Sequence, residues 1–75
     1  MRVYYDSEVD ALYLGLGDEP ADGVIEIAEG VNLDTASHDR IVGIEILNAS
    51  KKLDLKTILS YTVELDKDLL AQKTA

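Results

Sequence analysis

The chain contains no cysteine, so neither a disulfide nor a thiolate metal ligand can reinforce it. A single histidine, His38, excludes the paired imidazoles of a zinc or iron site. Tryptophan and phenylalanine are absent as well, and four tyrosines supply all the aromatic surface. Basic residues are scarce: seven Lys and Arg stand against fifteen Asp and Glu, for a formal charge of −8. That field repels phosphate backbones, so direct nucleic-acid binding is not expected. It favours basic protein partners, and it also keeps a small protein soluble. No apolar run approaches the ~20 residues needed to span a bilayer. The N-terminus MRVYYDSEVD lacks a positively charged segment followed by an apolar one. The expectation is a cytoplasmic protein without a membrane segment.

Seventy-five residues make one domain. A chain this short buries only about 60% of its unfolded surface. Without disulfides or metals, tight packing or oligomerisation must supply the stability. The reading is therefore self-association, as a dimer or higher.

The pattern is one of short strands broken by turns. RVYY, 2–5, and ALYLGL, 11–16, are β-rich runs around the polar loop of Asp6, Ser7, Glu8 and Asp10. GDEPADG, 17–23, holds the only proline and is the clearest loop. VIEIA, 24–28, and VNLDT, 31–35, alternate cleanly around Glu29-Gly30, a tight hairpin turn. ASHD, 36–39, is a second turn, and RIVGIEIL, 40–47, a fifth strand. Short connections make successive strands antiparallel neighbours, giving a meander of about five strands.

From Asn48 the pattern changes. LDLKTILS, 53–60, spaces Leu55, Ile58 and Leu59 as a helix does, with Ser50 and Asp54 as candidate caps. YTVEL, 61–65, alternates like a strand, and DKDLLAQ, 66–72, reads as a helix capped by Asp66. The sum is a single α+β domain over 1–75, with a sheet over 1–48 and a helical segment of one or two helices over 49–75.

Glu45 sits inside an otherwise apolar strand. Alternation places Val42, Ile44 and Ile46 on one face, and Ile41, Gly43, Glu45 and Leu47 on the other. The first face belongs in the core. The second is too apolar for a wet face, so a helix, another subunit or a partner should cover it. Glu45 then lies at the border of that cover, paired with Arg2, a Lys or a Tyr hydroxyl. In the second strand, Leu12, Leu14 and Leu16 share one face, and Ala11, Tyr13 and Gly15 the other.

YYDSEVDALYL, 4–14, EGVNLD, 29–34, and RIVGIEILNAS, 40–50, together resemble the domain of unknown function 2283 family, small prokaryotic proteins of about this length. The family pattern is a Tyr-Asp start, then Asp-Ala-Leu-Tyr, a Gly-Val-x-Leu-Asp strand, and Val-Gly-Ile-Glu-Ile-Leu with a following Ala-Ser. It falls here on Tyr5, Asp6, Asp10, Tyr13, Glu45 and Ser50, which become the candidate interface or motif residues. Members tend to carry Gly just before the last strand, where this chain has Asp39. Asp tolerates a left-handed backbone, so the turn survives. The family's function is not established. Some members are encoded beside small toxin-like proteins, which implies an antitoxin role.

Other chemistry is thinly represented. Asp6, Ser7, Glu8 and Asp10 imitate a calcium loop, but its sixth and twelfth positions hold Ala11 and Gly17 instead of Gly and Glu. A solvated loop with Asp6 or Asp10 capping turn amides is the better reading. His38 falls on an exposed turn, where neighbouring Ser37 and Asp39 diverge from it. Gly15-Leu16-Gly17 does not lead into a helix as a phosphate loop does. Lys51 and Lys52 fit helix-edge salt bridges. Tyr4, Tyr5 and Tyr13 come from strands expected to pair, and Tyr suits both sheet packing and protein interfaces. No catalytic residue, cofactor or metal is expected. The reading is a protein-interaction module that takes a small basic partner. The alternative is a small-ligand-binding or enzymatic domain using Glu45, Asp10 and a tyrosine.

Overall fold

The computed structural model describes residues 1–60. The strand expected at 61–65 and the helix expected at 66–72 lie outside those residues. Five strands form one antiparallel sheet: β1 (Arg2–Asp6), β2 (Ala11–Gly15), β3 (Gly23–Ala28), β4 (Val31–Ala36) and β5 (Arg40–Leu47). Two short helices follow, α1 (Ala49–Lys52) and α2 (Leu55–Leu59). The fold is α+β.

The strand order is β1-β2-β5-β4-β3. Successive strands are neighbours except at one connection. The long segment 16–22 carries the chain from β2 to the far edge, and β5 returns to fill the space between β2 and β4. Leu16 leaves the ladder because its N–H, like that of Gly17, donates to the carbonyl of Val42 (2.9 and 3.2 Å). Val42 is the extra residue of a bulge, since Asp34 faces Gly43 while the next residue, Thr35, faces Ile41. A bulge thus turns its carbonyl toward the departing chain and ends β2 at Gly15.

The turns follow from residues that accept a left-handed backbone. Gly30 (φ 72°) closes the β3–β4 hairpin. His38 (φ 63°) and Asp39 (φ 58°) shape the 3₁₀ turn Ser37–Asp39 that opens β5. Asn48 (φ 53°) breaks β5 into α1. Asp54 caps α2 by accepting from the Lys56 N–H at 3.1 Å. Ser50 does not cap a helix and bonds elsewhere.

Register assigns each side chain to a face. Val3, Leu14, Ile44, Leu33 and Ile25 form one row across the sheet, and Tyr5, Leu12, Ile46 and Val31 a second row on the same face. Leu12 and Ala49 are fully buried, and Val42 and Ala36 nearly so. Ile44 and Ile46, expected in the core with Val42, are only half-buried. The opposite face carries Tyr4, Tyr13, Glu45, Asn32 and Glu26 in one row, and Arg2, Gly15, Gly43, Asp34 and Val24 in the next.

Candidate functional site

Three groups of polar side chains knit this framework together. The first centres on Asp10, which ends the β1–β2 turn with a left-handed backbone (φ 53°). One carboxylate oxygen accepts from the Tyr5 hydroxyl (2.7 Å) and the Ser50 N–H (3.0 Å), and the other from the Ser50 hydroxyl (2.7 Å). The Asp10 carbonyl also accepts from the Ala49 N–H at 2.9 Å. The aspartate therefore fastens the start of α1 to the first hairpin. The Ser50 hydroxyl, then Tyr5, hold its carboxyl below the usual aspartate range, while the bond to Asp10 raises the Tyr5 phenol. Asp6 serves its own turn, accepting from the Glu8 N–H at 3.0 Å.

The second group lies on the polar face. Tyr13 faces Tyr4 on one side and Glu45 on the other, and its hydroxyl donates to Asp34 Oδ2 at 2.9 Å. That bond raises the Tyr13 phenol above its ordinary value. The ring reaches Asp34 by crossing Gly43, where an added Cβ would sit 2.6 Å from the Tyr13 Cζ. Cover for this face thus comes partly from Tyr13 itself. The third group joins Asn32 Nδ2 to Glu45 Oε1 at 3.2 Å, between directly paired residues of β4 and β5. The partner of Glu45 is Asn32, in place of the Arg2, Lys or Tyr hydroxyl the sequence suggested.

The motif residues do not converge on one cavity. Tyr5 and Glu45 belong to opposite faces, and the Asp10 carboxylate is occupied by Tyr5 and Ser50. Lys52 donates to the Leu47 carbonyl at 2.6 Å instead of forming a salt bridge, and His38 is exposed. Among the described residues the one ion pair is the exposed Arg40–Glu19 contact at 3.1 Å. Among the described residues no group of three or more His, Cys, Asp or Glu is arranged to hold a metal, and no helix there is long and apolar enough to cross a membrane.

The model of a protein family of unknown function, DUF2283, matches residues 2–50. The chain belongs to the DUF2283 family. The DUF2283 match begins with β1 and ends at Ser50, the residue that closes onto Asp10. It therefore spans the whole sheet and all three hydrogen-bonded groups. No curated protein matches, and no solved structure does.

Two further features were not singled out in the sequence. Asn32 and Asp34 are the polar partners on β4, signalled only by sharing one side of an alternating strand. The other feature is the edge strand β3. Val24, Ile25 and Ile27 are 66%, 53% and 57% exposed, interleaved with Glu26 and followed by Glu29. Its alternation is legible, but its place at the edge is not.

Proposed function

We propose that this DUF2283 protein is an interaction module that binds a basic partner at the β3 end of its sheet, acting by binding and not by catalysis. The observation that carries the reading is the exposure of Val24, Ile25 and Ile27 on an edge strand. Apolar surface of this kind marks interaction sites. Val24 and Ile25 lie on opposite faces, so the edge offers apolar contacts on both sides. Glu26 and Glu29 add negative charge among them, and the whole chain carries −8. A partner with alternating apolar and Lys or Arg side chains complements that surface. An antitoxin-like role, covering a small basic protein, fits the same chemistry.

Affinity capture from the native host, comparing the parent with Ile25→Glu and with Glu26→Lys/Glu29→Lys, tests the reading. The expected result is a small basic protein held by the parent and reduced at least tenfold by both variants, with far-UV circular dichroism showing that both fold. A partner retained equally by all three, or an acidic one, overturns it.

A further inference from the structure

We propose that the free edge of β1 pairs with β1 of a second copy, joining two five-stranded sheets into one. Among the described residues β1 has a neighbour on one side only, β2. Within those residues its other side presents N–H and C=O groups that no strand pairs, a ready template for strand pairing. The strand is regular. Five consecutive residues pair with β2 without a register shift, and none of them is Gly or Pro or has positive φ. The opposite edge, β3, is bulged between Glu26 and Ala28, which blunts it against regular pairing.

The occupant follows from the sequence of β1, RVYYD, which complements its own reverse. An antiparallel pair about a two-fold axis normal to the sheet keeps like faces together, and residues directly opposite must share a face. Centred on Tyr4, it sets Arg2 against Asp6 of the second copy, and Asp6 against its Arg2. Val3 meets Tyr5 twice on the apolar face, and Tyr4 meets Tyr4 on the polar face. Opposite-charge, aromatic and aromatic–β-branched cross-strand pairs are the favourable ones. Arg2 and Asp6 are exposed, and Tyr4 is 55% exposed, so these side chains are available for the contact. The same operation on β3 centred on Glu26 opposes two carboxylates. Charge complementarity therefore selects β1 for a second copy and leaves β3 for the basic partner. This inference is independent of the binding proposed above, whose test turns on Ile25, Glu26 and Glu29.

The test is a charge exchange read by sedimentation equilibrium at physiological ionic strength. The parent is expected to sediment as a dimer of 8.2 kDa chains. Arg2→Asp places Asp against Asp6, and Asp6→Arg places Arg against Arg2, so each variant alone should dimerise at least tenfold more weakly. Mixed in equal amounts, the two restore both opposite-charge pairs and should form a heterodimer close to parental affinity. The double variant Arg2→Asp/Asp6→Arg should recover likewise. Circular dichroism and melting establish that each variant folds. Hydrogen exchange on the parent needs no substitution and should show β1 amides gaining protection as concentration rises. A monomeric parent overturns the proposal, whether its edge is open or covered by residues 61–75 of the same chain. So does dimerisation unaffected by either reversal, a mixture no tighter than its components, or β1 exchange independent of concentration.

Discussion

The Tyr13 ring crosses Gly43 to reach Asp34, so a residue without a side chain on β5 is what lets a residue on β2 bond a residue on β4. Gly43 is itself buried beneath the ring. Gly43→Ala should therefore displace Tyr13 and break its bond to Asp34, costing about 1–3 kcal/mol as overpacking does. Urea denaturation measures the loss. Combining it with Tyr13→Phe should cost less than the sum of the two single changes, because both act through the same contact.

The Asp10 group should make stability fall at both ends of the pH scale. The folded-state pKa of Asp10 is lowered, so its contribution is complete above the ordinary aspartate value and is lost as the pH falls through the lower folded value, below about pH 4. The phenols of Tyr5 and Tyr13 are raised. Their contribution is complete below the ordinary tyrosine value and is lost as the pH rises through the higher folded values, above about pH 10. Tyr5→Phe should flatten part of both limbs, and Asp10→Asn should remove the Asp10 share of the acid limb together with the Tyr5 share of the alkaline limb, leaving the Tyr13 share. Midpoints of urea unfolding from about pH 2.5 to about pH 11 give the comparison.

Ser50→Ala removes the hydroxyl that donates to Asp10 and leaves the Ser50 N–H bond in place. A lower melting temperature is expected, because Asp10 loses one of the donors that hold it to α1. An unchanged melting curve would mean that the α1 corner contributes nothing to the cooperative unit.

Asp39 occupies a left-handed position (φ 58°), a conformation that favours Gly. Asp39→Gly should be close to neutral, since the relief of backbone strain is offset by the greater freedom of Gly in the unfolded chain. Asp39→Val should cost about 1–2 kcal/mol, because a β-branched residue fits that conformation poorly. Thermal melts of both variants would show the contrast.

Leu12 is the largest fully buried side chain among the described residues. Leu12→Ala should cost about 2–5 kcal/mol, a large part of what a small domain has. Ile25→Ala, on an exposed edge residue, should stay within about 0.5 kcal/mol. Guanidinium unfolding of the pair separates core from surface.

The five strands were legible because alternation and turn residues are local signals. Gly30 and Asp39 mark turns that the backbone then makes, and strand ends fall within a residue or so of the pattern. Strand order was not legible at β2–β3. Nothing in 16–22 says which edge the chain will reach, since that depends on β5 finding two partners at once. The same limit hid the site. The Asp10–Ser50 bonds join residues forty apart in sequence, and the Asn32–Glu45 bond depends on the β4–β5 register. Residue type alone named Asp10, Ser50 and Glu45 without naming whom they bond.

The central place of β5 bears on how the chain is made. β1–β2 and β3–β4 are hairpins of neighbouring strands, but among the described strands neither hairpin pairs with the other and both pair with β5, the last of the five. A two-stranded hairpin alone is marginal in water. A ribosome-bound chain ending before residue 40 therefore holds two unsupported hairpins with their apolar sides uncovered. The five-stranded sheet can close only when β5 emerges, so a nascent chain stalled in that interval should be the form most exposed to proteases and chaperones.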